Sequence, residues 1–202
     1  MELCRNEVTL CGTVAQEPVF SHENHAQQFF RFPLCIERLS GQSDLPMIVV
    51  SETLLRQNRI VADRTLKVEG QLRSYNNKSG RGNRLILSTF AQNISPCDPT
   101  PFNRIVLSGV LCKPPVLRRT PLGRSICDLL LAVNRHYGRA DYLPCIAWGR
   151  LAILLGQYQV GDTVAFEGRI QSRAYTKQLE DGTSELRTAY EVSVMQLLQE
   201  DT

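Results

Sequence analysis

Three observations predict an all-β chain built from two tandem barrels. The chain has 202 residues, a length that suits two domains of about 100 residues each. Its two halves are similar to each other in sequence. Within each half, apolar and polar residues alternate at the period of β-strands, and the alternating stretches are separated by short turns.

The repeat consists of four blocks that occur in the same order in both halves. The first block begins at Asn6 and returns at Asn103. The other blocks match 32–38 with 129–135, 45–48 with 143–146, and Glu69-Gly70 with Glu167-Gly168. A repeat of this length is too long for a solenoid and indicates a duplicated domain.

We divide the chain into an N-terminal domain (1–95), a linker (96–102) and a C-terminal domain (103–202). The stretch from Ile94 to Phe102 contains prolines at 96, 99 and 101. Proline favours extended backbone and is excluded from central strands, so this stretch is a short, semi-rigid linker. We therefore expect the two barrels to be held close together.

The order of the elements predicts the type of barrel. In the second copy, strands are expected near 103–113, 124–136, 142–148, 163–176 and 186–197, with a helix near 149–157 and a hairpin turn at Asp181-Gly182. The first copy repeats this order, with a helix at 51–58 and a hairpin at 76–83. Five strands with a helix after the third is the order of the OB fold, whose open face commonly binds oligonucleotides or oligosaccharides.

Composition excludes several classes of protein. The formal net charge is only +3, which is too low for a histone-like electrostatic binder but allows a local basic groove. The seven cysteines are odd in number and lack a Cys-x-x-Cys pair, so we expect small apolar core residues rather than a disulfide framework or a zinc site. We expect no metal or other cofactor. The three histidines lack a catalytic or metal-ligand spacing, so the sequence does not indicate an enzyme.

Targeting signals are not visible in the sequence. The longest apolar run, near Leu129 to Val133, is far too short to cross a bilayer. The first residues lack the basic and apolar regions of a signal peptide. We therefore expect a cytoplasmic protein with no membrane partner.

Alternation along the strands of the second copy places aromatic and basic side chains on one face. The predicted outer residues are Tyr142 and Trp148 on strand three and Arg169, Gln171, Arg173 and Tyr175 on strand four. Arg118, Arg119 and Arg124 flank the turn between strands one and two, and Arg135 begins the next loop. Bases stack on aromatic rings while arginines contact phosphates, so the combination suits single-stranded nucleic acid. From the residues alone, a protein-binding surface remains an equal alternative.

The second copy also resembles the bacterial single-stranded DNA-binding proteins of the tetramer-forming OB type. The resemblance extends over 103–111, 131–135, 141–152, 161–173 and 190–194. That family stacks bases on four aromatic positions, which here are Tyr137, Tyr142, Trp148 and Tyr175. The resemblance implies sequence-independent binding of single-stranded DNA in replication, recombination or repair. It also implies four barrels per working unit, so a two-barrel chain is expected to form a homodimer.

The first copy departs from this pattern. It has Asp44 and Val50 at the positions that we align with Tyr142 and Trp148. Weaker DNA-binding candidates remain in Arg31, Arg73, Tyr75, Lys78 and Arg81, and Phe29 could join Arg31 on strand two. The chain also lacks the family's flexible acidic tail, so recruitment of proteins through such a tail is not expected. These departures favour the rival function, an OB interaction module or primosome-like accessory protein.

Overall fold

A computed structural model describes residues 5–77, 82–135, 138–179 and 182–198. These residues form strands and two short helices, which confirms the all-β prediction. The first barrel comprises β1 (Asn6–Val14), β2 (Val19–Asn24), β3 (Gln27–Glu37), β4 (Ser43–Asp44), β5 (Met47–Ser51), α1 (Glu52–Asn58), β6 (Thr65–Asn76) and β7 (Leu85–Pro96). The second comprises β8 (Phe102–Leu111), β9 (Val116–Arg119), β10 (Ser125–Asn134), β11 (Ala140–Trp148), α2 (Arg150–Leu155), β12 (Thr163–Gln178) and β13 (Ser184–Leu197).

The pairing of the strands is that of two OB barrels. In the second barrel, β8 pairs with β12 on one side and with β10 on the other, which closes the sheet. The remaining pairs are β12 with β13, β13 with β11 in parallel, and β11 with β10. The first barrel has the same order in β1, β6, β7, β5 and β3. The predicted tandem OB architecture is therefore confirmed, with each helix after the third strand.

Several bounds differ from the prediction. The second helix is shorter than expected and covers Arg150–Leu155, where the prediction gave 149–157. The hairpin of β12 and β13 is longer than expected, since pairing continues to Gln178 and Ser184. The short strands β2, β4 and β9 were not predicted. Both β2 and β9 are exposed along almost their whole length, so they lack the buried alternation by which a strand is recognised in a sequence.

Two glycines recur in both copies because strands cross closely there. A Cβ atom at Gly12 would lie 2.3 Å from the Cys35 carbonyl oxygen, and one at Gly109 would lie 2.5 Å from that of Ala132. Gly70 and Gly168 follow β-bulges and would meet carbonyl oxygens at 2.1 and 2.4 Å. The repeated glycines thus mark the places where only a bare backbone fits.

The two barrels are joined by an antiparallel pairing of β1 with β8, which we call the junction sheet. Asn6 lies opposite Leu107, and Val8 lies opposite Ile105. Ile105 is also the counterpart of Val8 in the sequence repeat, so at this one position the two repeat counterparts pair with each other. A pseudo-twofold axis therefore passes through this pair, and β6 and β12 extend the sheet on either side.

Two equivalent side-chain networks, here called the inter-barrel clamps, fasten the barrels beside this axis. In one clamp, the carboxylate of Asp141 accepts bonds from Arg135 Nε at 2.5 Å and from the backbone N–H of Ser74, in the other barrel, at 2.6 Å. In the other clamp, Asp44 accepts from Arg38 Nε at 2.7 Å and from the Ser172 N–H at 2.6 Å. These contacts hold the two barrels close together.

Both clamp carboxylates are buried, with exposures of 1% for Asp44 and 0% for Asp141. Burial alone would raise the pKa of each carboxyl, but the hydrogen bonds from arginine and from the serine N–H outweigh it. The net result is a pKa below the ordinary value for both groups, so both carboxylates are charged at neutral pH.

The prediction that the cysteines are unpaired core residues is wrong for two of them. Cys11 and Cys97 form a disulfide that joins β1 to the linker. Cys11 lies on the outer side of β1, opposite Phe102, rather than in the barrel core. An odd number of cysteines gave no indication of this pair. The other cysteines within the described residues, Cys35, Cys112, Cys127 and Cys145, are free thiols. In the described part of the chain, none of the helices is long and apolar enough to span a membrane.

Candidate nucleic-acid interface

The outer face of the second barrel carries two of the predicted aromatic residues on β11. Tyr142 and Trp148 are 49% and 40% exposed, while their neighbours Leu143 and Ala147 point inward and are fully buried. The predicted alternation is thus present, and the two rings lie toward opposite ends of one strand. Their exposed faces are available for stacking against bases. Ile146 lies between them on the same face and is 1% exposed, so neighbouring side chains cover it.

Tyr175 lies on β12 at the edge of this face and is half-buried. Its hydroxyl donates a hydrogen bond to Asn83 Oδ1 in the first barrel at 2.9 Å. The guanidinium of Arg173 stands 5.8 Å from the centre of its ring. Tyr175 is therefore oriented by one contact at its hydroxyl and one at its ring.

The predicted arginines fall into three groups. Arg119 and Arg124 border the turn between β9 and β10, are exposed, and have no ion-pair partner among the described residues. Three are paired with carboxylates: Arg118 with Asp128, Arg173 with Glu191, and Arg135 with Asp141. The Nε atom of Arg169 is buried, with no hydrogen-bond partner in the part of the chain that the structure describes. Sequence patterning identified the cations but not the carboxylates that hold them.

The first barrel has a groove of about 910 Å³ over its own outer face. Three of the weaker candidates, Arg31, Arg73 and Tyr75, line it. Sequence reasoning missed Phe90 and His22, which also line it, and did not anticipate that Arg139 of the second barrel forms one wall. The groove therefore spans the boundary between the barrels. Outward alternation on β3 and β7 was the signal that could have revealed it.

Two expectations about the first barrel need correction. Phe29 is not available for stacking on bases, because it is 7% exposed and is covered by the stacked ring of His22, with ring centres 4.9 Å apart. Asp44 corresponds to Asp141 rather than to Tyr142, since both aspartates form the clamps. Tyr137, Lys78 and Arg81 lie outside the described residues.

Within the described ranges, the structure contains no group of three or more His, Cys, Asp and Glu side chains that could hold a metal ion. The burial of Cys145 raises its pKa far above the ordinary value, so this thiol is not a nucleophile at neutral pH. Exposed rings and guanidinium groups are what the face offers to a ligand.

Comparison with known proteins identifies relatives of the second barrel. Residues 102–198 match the model of the single-strand binding protein family. Single-stranded DNA-binding protein B of Bacillus subtilis is 38% identical over 84 residues, which are 38% of this chain and 74% of that protein. The corresponding protein of Clostridium tetani is 38% identical over 88 residues, which are 40% of this chain and 59% of that protein. The chain spans about half the length of several such relatives.

The fold has a counterpart along the whole chain. The single-stranded DNA-binding protein from Thermus aquaticus superimposes with a TM-score of 0.74 over 98% of this chain and 94% of that chain, at 21% identity. At that identity the likeness shows the two-barrel fold alone. The sequence matches over the second barrel show the family as well as the fold: the chain belongs to the single-strand binding protein family.

Proposed function

We propose that this chain binds single-stranded DNA without sequence preference, as a non-enzymatic protein of replication, recombination or repair in the cytoplasm. The observation that carries the proposal is the pair of exposed rings on β11, Tyr142 and Trp148, with Tyr175 on β12 and arginines beside them. Each base stacked on such a ring contributes roughly 1–3 kcal/mol. The names of the relatives support the same ligand.

The C-terminal domain (103–202) provides the main face in this proposal, and Tyr137 completes its aromatic set. Arg119 and Arg124 contact phosphates at the β9–β10 turn because their guanidinium groups are exposed. Arg118, Arg169 and Arg173 contribute once DNA is present. Arg135 serves mainly in its clamp, because Asp141 and the Ser74 carbonyl already accept its hydrogen bonds.

The N-terminal domain (1–95) provides a second, weaker site in its groove, and the linker (96–102) separates the two domains. Tyr75 is 49% exposed there, and Arg31, Arg73 and Arg139 border the cavity. Lys78 and Arg81 belong to the same proposed site. With fewer exposed rings, this groove gains less from stacking and depends more on phosphate contacts.

We further propose that two chains associate as a homodimer, which brings four OB barrels together. The tail-mediated recruitment of other proteins is not part of this proposal. Size-exclusion chromatography with light scattering at micromolar concentration tests the dimer. A mass of one chain across that range would contradict it.

Titration with oligo-dT tests the proposed ligand. Trp148 is the single tryptophan, so its fluorescence is expected to fall as DNA binds, with an affinity that weakens as salt rises. Replacing Tyr142 with Ala is expected to weaken binding more than replacing Tyr75, the matched exposed tyrosine of the first barrel. Unchanged fluorescence together with no mobility shift at low salt would refute DNA binding. The reverse order of the two tyrosine variants would instead move the main site to the first barrel.

A further inference from the structure

Two carboxylates lie within the arginine-bearing face of the second barrel, where a DNA backbone would pass. Asp128 is on β10, directly opposite Ile146, and Glu191 is on β13, directly opposite Gln171. Both side chains therefore lie on the outer face with the aromatic residues. A negative charge here opposes the binding of a polyanion, so its presence needs an explanation.

Asp128 engages the whole fork of one guanidinium group. Arg118 donates from Nε to Oδ2 at 2.5 Å and from Nη2 to Oδ1 at 3.0 Å. This bidentate geometry is the one in which arginine also binds a phosphate. The hydrogen bond with Asp128 raises the pKa of Arg118, and Glu191 adds a smaller electrostatic contribution. Asp128 thus occupies the donors that a phosphate would use.

Glu191 lies deeper in the face and has looser partners. Its side chain is 10% exposed, and Gln171 donates to its Oε1 at 3.2 Å. The Nε atom of Arg173 is 3.8 Å from the same oxygen, while Arg173 itself remains 53% exposed. Glu191 therefore attracts Arg173 toward the sheet, although the guanidinium group keeps an open side toward solvent.

The two pairs have a consequence for electrostatics. An arginine paired with a carboxylate adds no net charge to the face, and it releases a counterion from DNA only when the pair opens. A phosphate that binds Arg118 or Arg173 must replace a carboxylate that is already in place. The affinity of this face for DNA thus depends on how much more favourably each arginine binds a phosphate than the carboxylate with which it is already paired.

We propose that Asp128 and Glu191 act as internal competitors of the DNA phosphates, which hold Arg118 and Arg173 in position and keep the affinity below what these arginines alone would give. The inference rests on the proposed function and names the residues that regulate its affinity. Arg119 and Arg124, which have no carboxylate partner among the described residues, make the first contact. The paired arginines then exchange their carboxylates for phosphates.

Variants that remove one charge each test this proposal. Asp128→Asn and Glu191→Gln are each expected to bind dye-labelled oligo-dT about fivefold more tightly at low salt, the effect of removing one unit charge a few ångströms from a phosphate in water-like surroundings. The slope of log affinity against log salt should steepen by about 0.7 for each arginine released. Fluorescence anisotropy of the dye measures both quantities.

Two controls separate the local effect from a general change of charge. Glu7→Gln removes the same charge from an exposed ion pair, that of Arg5 with Glu7 at the start of β1 in the junction sheet. This variant is expected to change the affinity less than twofold. In an Arg118→Ala background, Asp128→Asn should increase the affinity for oligo-dT much less, since the arginine that pairs with Asp128 is absent. Asp128 is 40% exposed, so its variant is expected to fold even where the more buried Glu191→Gln does not.

The outcomes distinguish this inference from the function on which it rests. If the wild-type chain binds oligo-dT but Asp128→Asn binds equally or more weakly, the internal competition is refuted and DNA binding stands. An equal gain from Glu7→Gln would likewise refute it, because net charge alone would then explain the effect. If the wild-type chain does not bind oligo-dT at all, the proposed function and this inference fall together.

Discussion

Replacing Asp141 with Asn is expected to destabilise the fold by opening one inter-barrel clamp. The carboxylate of Asp141 is completely buried and accepts hydrogen bonds from Arg135, from Arg73 at 3.1 Å and from the Ser74 N–H. Breaking a buried ion pair by removing one partner costs about 3–5 kcal/mol. Because Arg73 and Arg135 keep 25% and 27% of their side-chain surface exposed, we expect the lower end, about 3 kcal/mol.

Urea unfolding followed by circular dichroism measures this cost as a change in the free energy of unfolding. Glu52→Gln is the matched control, since it breaks the exposed Glu52–Arg56 pair on α1 and should cost less than about 0.5 kcal/mol. Asp44→Asn opens the equivalent clamp and should behave like Asp141→Asn. If Asp141→Asn and Glu52→Gln cost the same, the clamps do not stabilise the protein as argued.

Acidification provides a second measurement of the clamps. The folded pKa values of Asp44 and Asp141 are lowered from an ordinary value of 3.8. Their contribution is therefore fully present above the unfolded pKa and is lost as pH falls through the lower, folded pKa. We expect the wild-type chain to lose more stability between pH 5 and pH 2 than the Asp141→Asn variant, and equal losses would contradict the lowered pKa.

Two further predictions concern stability, and one concerns the site. Reducing the Cys11–Cys97 disulfide should lower the free energy of unfolding by up to about 4–5 kcal/mol, the chain-entropy value for its separation of 86 residues. The Cys97→Ser variant should be as stable as the reduced wild type, and its stability should not change when a reductant is added. Gly168→Ala should lower the urea midpoint, because its Cβ would lie 2.4 Å from the Ser193 carbonyl oxygen, and an unchanged midpoint would show that the bulge can shift. Tyr175→Phe should retain most of the affinity for oligo-dT, since stacking needs the ring, whereas Tyr175→Ala should lose roughly 1–3 kcal/mol. Equal binding by both Tyr175 variants would remove this ring from the site.

The barrel order was predictable because it depends on local patterns. Alternation indicates the long strands, and the repeat blocks contain glycines at matching positions, Gly12 with Gly109 and Gly70 with Gly168. The N-cap of α1 is also local: Ser51 accepts a hydrogen bond from the Leu54 N–H at 3.3 Å. Such features are readable because the residues that interact are near one another in the chain or repeat in register.

The partners of the charged residues were not predictable in the same way. Arg118 meets Asp128 through the pairing of β9 with β10, and β9 itself lacks a strand pattern. Arg173 meets Glu191 only in the register of β12 with β13. The clamps connect residues of different barrels, so their geometry depends on how the two copies dock. Pairings of this kind follow from tertiary structure, and a linear sequence does not show them.

The pairing of Val8 with Ile105, its counterpart in the repeat, also has an evolutionary consequence. In a dimer of identical chains, every substitution appears on both sides of the axis at once. Here the two sides are encoded separately, so a change in one barrel leaves the other untouched. One half can keep an aromatic face while the other drifts toward a different shape, and covalent linkage keeps them together at any protein concentration.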